Sequence, residues 1–103
     1  MADPMRIRAN LVGESTEVKV LMGHQMETGQ RKDAQGKVIP AWFIQNVTVT
    51  HAGKTVLLAQ WGTAIAQNPF LSFKFKGGAK GDKVQVTWTD KRGDKRSDEA
   101  VIA

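Results

Sequence analysis

Met22, His24 and Met26 alternate along the chain, so in an extended backbone their side chains face the same way. Two thioethers and an imidazole form a soft set suited to Cu(I), and His51 is the only other histidine that can add to it. The competing assignment makes Met22 a core residue and the other two a rim. His24 and Glu27 have the composition of a base and its orienting carboxylate, but no nucleophile accompanies them. Gly77-Gly-Ala-Lys-Gly-Asp-Lys83 has the residue types of a phosphate loop. It lacks the Gly-x-x-x-x-Gly-Lys-Ser/Thr spacing and opens a strand pattern where a phosphate loop opens a helix, so a hairpin turn is expected.

Lys74 and Lys76 are expected to share an outer face with Lys83 across that hairpin, and Lys91, Arg92, Lys95 and Arg96 surround the next turn. Basic residues among aromatics suggest a single-strand nucleic-acid surface. Phe73, Phe75 and Trp88, however, fall on the parity opposite to the lysines and are expected in the core, so a solvated basic face is the better assignment. The 103 residues contain no cysteine and no tyrosine, and no serine sits in a nucleophile elbow. Thiol chemistry, disulfides and thiolate metal sites are excluded for this sequence. The residue types point away from catalysis, and no cofactor and no metal site is expected.

The elements that position these groups follow a period of two, the strand signature. Met5, Ile7, Ala9 and Leu11 form one inward set; Val18, Val20 and Met22 form another. Leu71, Phe73 and Phe75, then Val84, Val86 and Trp88, repeat the pattern. Two segments are apolar on both faces: Trp42-Phe43-Ile44, followed by Val47, Val49 and His51, and Val56-Leu57-Leu58-Ala59, ending at Trp61. They read either as doubly covered central strands or as strands whose outer face meets another chain. Trp42 and Ile44 share one parity and Phe43 the other. Phe43 continues the row of Val47 and Val49, so it is assigned to the core and Trp42 with Ile44 to a partner surface. Tight reversals are expected at Gly13, Gly53, Gly77–Asp82 and Gly93, and at Asn68-Pro69. Glu27–Lys37 reads as a polar loop, structureless in pattern, with a turn at Asp33–Gly36.

About seven short strands and no helical period imply an all-β immunoglobulin-like or fibronectin-like β-sandwich, with a small barrel as the alternative. Residues 1–103 are expected to form a single domain. The net charge of +5 favours anionic partners without naming one. No run approaches the ~18 apolar residues of a membrane span, and no signal peptide is read at the N-terminus.

Four pieces in this order carry a family resemblance: His24-Gln-Met-Glu-Thr-Gly-Gln-Arg-Lys-Asp33; Gly36-Lys-Val-Ile-Pro-Ala-Trp-Phe-Ile44; Asn68-Pro-Phe70; and Gly81-Asp82 with Val84, Val86, Trp88 and Asp90. Together they resemble the SoxZ family over most of the chain. Gln25 departs from the family's His-Pro-Met-Glu pattern. The resemblance implies a non-catalytic subunit of a sulfur-carrier complex in thiosulfate oxidation. Its partner, SoxY, carries sulfur covalently on a cysteine of a flexible C-terminal arm and presents it to the other Sox enzymes. It also implies a periplasmic location, reached by export with that partner. His24, Met26, Trp42, Ile44, Asn68 and Phe70 are assigned to partner binding, and the isolated chain is expected to self-associate. The alternative is a stand-alone β-module that binds an anionic ligand or single-stranded nucleic acid through its lysine face.

Overall fold

The computed structural model describes residues 4–62, 65 and 67–103. Seven strands run in chain order: β1 Arg6–Val12, β2 Ser15–Leu21, β3 Ile44–His51, β4 Lys54–Gln60, β5 Phe70–Lys76, β6 Lys83–Asp90 and β7 Lys95–Val101. They form two antiparallel sheets, β1-β2-β5 and β4-β3-β6-β7. This is the all-β sandwich expected from the alternation.

The inward rows of the two sheets meet as the core. Val18, Val20 and Met22 come from one sheet, and Val47, Val49, Val84, Val86 and Trp88 from the other; all are essentially inaccessible to water. Burying each such side chain is worth about 1.5–3 kcal/mol. Hairpins join β1 to β2 through Gly13, β3 to β4 through Ala52-Gly53, and β6 to β7 through Gly93, as the turn residues predict. Ala52 and Gly53 both lie at positive φ, 50° and 79°, the backbone of a tight two-residue reversal.

Three expectations are corrected. Gly77–Asp82 is not a hairpin turn, because β5 pairs with β2 while β6 pairs with β3 and β7. The segment crosses from one sheet to the other, so Lys74 and Lys76 lie on a different sheet from Lys83. The parity assignment at Trp42–Ile44 fails because the β3–β6 register shifts between Ile44 and Asn46. One extra residue on β3 moves Ile44 into the row of Val47 and Val49, with no accessible surface, and leaves Phe43 half-buried against the core. Residues 27–42 are not structureless. They form a narrow irregular ribbon, with Glu27 and Trp42 exchanging backbone bonds of 2.6 and 2.9 Å and Lys32 bridged to Val38. Asp33 caps its tip, accepting from the amides of Gln35 and Lys37, at the turn the sequence indicates.

The two sides of the sandwich differ. On one, the C-terminus closes the gap: Leu11 N–H donates to the Ala103 carbonyl at 3.0 Å and Ala103 N–H to Ala9 at 2.9 Å. Asp98 of β7 accepts from Met5 N–H at 2.9 Å. On the other, β4 and β5 are the terminal strands of their sheets. Each exposes a large apolar side chain, Leu58 at 66% and Phe70 at 62%.

The crossover fixes one glycine. Gly77 N–H donates to Glu14 and the Thr16 hydroxyl to the Gly77 carbonyl, so this backbone lies against buried Thr16. Gly78 has φ 91°, and a Cβ there would overlap the Thr16 hydroxyl and press on Ile102. Gly81 has φ 93° but open space around it. Gly78→Ala is expected to cost about 2–3 kcal/mol, combining strain and overlap, and Gly81→Ala about 1 kcal/mol from strain alone. Thermal melts of the two variants check this: Gly78→Ala is expected to melt roughly 10 °C below Gly81→Ala.

Candidate functional site

Polar groups converge at the end of the sandwich where the 27–42 ribbon leaves it. The inward parity of β6 runs Val84, Val86, Trp88 and then Asp90, so the strand delivers a carboxylate into the core layer. Asp90 Oδ2 accepts from Trp42 Nε1 at 2.7 Å and from His24 Nε2 at 3.0 Å. Oδ1 accepts from the backbone amides of Arg92 and Asp94, at 2.9 and 3.0 Å, which shapes the β6–β7 turn. Burial alone pushes the Asp90 carboxyl up, but the bonds from His24, Trp42, Asp94 and Arg92 outweigh it and hold the group below its ordinary value.

His24 is fixed on both nitrogens. Met26 N–H donates to Nδ1 at 3.0 Å, so Nε2 carries the proton given to Asp90. Its ring meets Trp88 edge-on at 5.2 Å and Trp42 at 4.9 Å. Asn68, at φ 51°, accepts from His24 N–H through Oδ1 at 3.1 Å and donates its own amide back to the His24 carbonyl. Met26, at φ 52°, accepts from Ile44 N–H through its sulfur at 3.3 Å. Arg92 lies over the outer face of Trp42, 4.0 Å from the ring centre.

Of the six residues assigned to partner binding, five therefore gather here. His24, Met26 and Ile44 are buried, Trp42 is half-buried and Asn68 is exposed. Phe70 is separate, pointing outward from β5 opposite Leu21 of β2. Met22, His24 and Met26 all point inward, with both ring nitrogens of His24 and the Met26 sulfur already engaged. His51 sits at the far end of β3, bonded to Asp82 at 2.8 Å. His24 and Glu27 are not partners. Glu27 takes a two-pronged bond from Arg31, which lowers its pKa. That pair borders an open cleft of about 470 Å³, lined also by Gln25, Met26, Thr28 and Gln67.

Asp90 organises the cluster, and reasoning from residue types alone passed over it. The available signal was its place on the inward parity of β6, where a carboxylate must have partners.

Fold and site together define a β-sandwich module whose polar cluster is a saturated hydrogen-bond hub, with apolar side chains left exposed on two edge strands. The chain belongs to the SoxZ family: its residues 5–101 match the sulphur oxidation protein SoxZ. It is thus a component of the Sox system of sulfur oxidation. No curated protein matches it.

Proposed function

We propose that this chain is the non-catalytic subunit of a sulfur carrier, binding a SoxY-like protein whose arm cysteine holds the sulfur during thiosulfate oxidation. The observation that carries this is the absence of cysteine from a sulfur-oxidation family member. Covalent sulfur of the persulfide type needs a thiolate, so a chain without one must leave the chemistry to a partner. The hub supports the same reading, because its groups are spent on one another and hold the ribbon to the sandwich. Export with the partner and work in the periplasm belong to this proposal.

The side of the sandwich bounded by β4 and β5 is the surface offered to the partner. β4 and β5 are edge strands, and the most exposed large apolar residues among those described flank this side, Leu58 from the outer face of one sheet and Phe70 from that of the other, so a partner that covers both wraps around the edge. Such groups form the buried centre of protein interfaces and are an aggregation liability when left uncovered.

Co-expression with the SoxY-like subunit is expected to yield a one-to-one complex. Leu58→Ser and Phe70→Ser, both at exposed positions, are expected to weaken it by roughly tenfold each in calorimetry, with unchanged circular dichroism. After treatment with thiosulfate or sulfide, mass spectrometry is expected to find added sulfur on the partner alone. A covalent sulfur adduct on this chain would falsify the reading.

A further inference from the structure

The outward positions of β1, β2 and β5 form a regular grid, because the three strands pair without a break in register. Arg6 stands in a row with Leu21 and Phe70; Arg8 with Lys19 and Ser72; Asn10 with Glu17 and Lys74; Val12 with Ser15 and Lys76. The face thus carries Arg6, Arg8, Lys19, Lys74 and Lys76 against one carboxylate, Glu17. Most of the net charge of +5 is concentrated on it. Glu17 is engaged by Lys19 at 3.3 Å and Lys74 at 3.9 Å. Among the described residues no ion pair reaches Arg6, Arg8 or Lys76. The outer face of the other sheet is different. Its centre is Thr48, Thr87, Thr89 and Ser97, and Lys83 at its rim is paired with Glu99 at 3.8 Å.

We infer that the outer face of β1-β2-β5 is an electrostatic docking surface for an acidic protein partner, engaged in a transient complex. The charge pattern sets the chemistry: five cations on a flat face attract a carboxylate-rich surface and speed its arrival. The grid spans about 20 Å along the strands and about 10 Å across them, the scale of a weak encounter surface. Its composition favours a protein over an anionic lipid surface. Glu17 stands on the central strand amid the cations, where a uniformly negative bilayer repels it and a mixed-charge protein surface can match it. Asn10, Ser15 and Ser72 add hydrogen-bonding groups that reward a partner of fixed shape. This inference does not rest on the carrier reading; its cations lie on the face whose corner holds Phe70, and Arg8 and Lys76, the positions tested, stand away from that corner.

Nuclear magnetic resonance titration of the full chain with poly-L-glutamate tests it, at about 20 mM salt so that charges are weakly screened. Amide shifts are expected on the β1-β2-β5 strands and not on β4-β3-β6-β7. The double variant Arg8→Glu/Lys76→Glu is expected to bind roughly tenfold more weakly, while Lys80→Glu/Lys95→Glu, with the same change in net charge, binds within about twofold of the parent. Equal losses in both variants, shifts spread over both sheets, or no binding would overturn the inference. So would tighter binding to phosphatidylglycerol vesicles or to oligothymidylate than to the polypeptide, which would reassign the face to lipid or nucleic acid.

Discussion

Asp90→Asn is expected to destabilise the chain by about 3–4 kcal/mol, although it changes one atom type. An asparagine can keep Oδ1 for the amides of Arg92 and Asp94, so the β6–β7 turn survives. Its other end becomes an NH₂ group facing Trp42 Nε1–H and His24 Nε2–H, three sets of donors with no acceptor between them. His24 cannot relieve this by changing tautomer, because Nδ1 already accepts from Met26. Hydrogen bonds to a charged group contribute about 1.5–3 kcal/mol each, and a buried donor left unpaired costs about 1–3 kcal/mol. Urea titrations of the parent and the variant measure the difference. A loss below about 1 kcal/mol would show that the hub is not the structural centre described here.

The same carboxylate gives a pH dependence. Its folded-state pKa is depressed, so its contribution is complete above the unfolded value and is lost as pH falls through the folded one. Asp98, held below its ordinary value by Arg96 despite partial burial, and further by Met5 N–H, acts in the same direction. Stability is therefore expected to fall below about pH 4, and the fall to be shallower in Asp90→Asn, which has lost one titrating group.

Trp88→Ala is expected to remove about 3–5 kcal/mol, a large share of the roughly 5–15 kcal/mol available to a domain of this size. Trp88 is 1% exposed, pairs across the sheet with Val47 and Arg96, and supports the His24 ring edge-on. Its deletion opens a cavity beneath the hub as well as within the core. Trp88→Phe is a sharper test. The indole Nε1–H is the one buried side-chain polar atom without a partner among the described residues. Phenylalanine removes that orphan donor along with some volume, so the two effects oppose each other. The Phe variant is expected to lose about 1–2 kcal/mol and the Ala variant to be partly unfolded at 37 °C, both read from denaturant midpoints. Both variants lack the indole N–H, so their difference reads the ring's volume, and equal losses would mean that the cavity beneath the hub closes without cost.

Strands with one wet face were legible in the sequence because their apolar residues keep strict alternation. Val18, Val20 and Met22, and Val84, Val86 and Trp88, lie where that period puts them. β7 carried no such signal: its half-buried positions are Arg96, Asp98 and Ala100. Pairing across sheets was also hidden. Gly77–Asp82 has hairpin chemistry, but local turn preference cannot tell a hairpin from a crossing between sheets. The bulge before Asn46 defeated the parity argument, because an extra residue inverts every face upstream of it. At the site, five of the six residues assigned to partner binding lie together at one end of the sandwich. In the lone chain His24, Met26 and Ile44 face the interior, and Asp90, which joins His24 to Trp42, carried no signal in its residue type beyond its parity on β6.

The hub has one more consequence, for the order in which the chain can fold. His24 and Asp90 are 66 residues apart, and the Met5–Asp98 bond spans 93. Neither contact can form until most of the chain has been brought together, and proteins built from such distant pairings fold in milliseconds to seconds where helical bundles need microseconds to milliseconds. During that interval the Leu58 and Phe70 strands have neither a completed sandwich behind them nor a partner in front. The open edges of β4 and β5, proposed above as the partner's surface, make the newly synthesised state the one most exposed to mispairing.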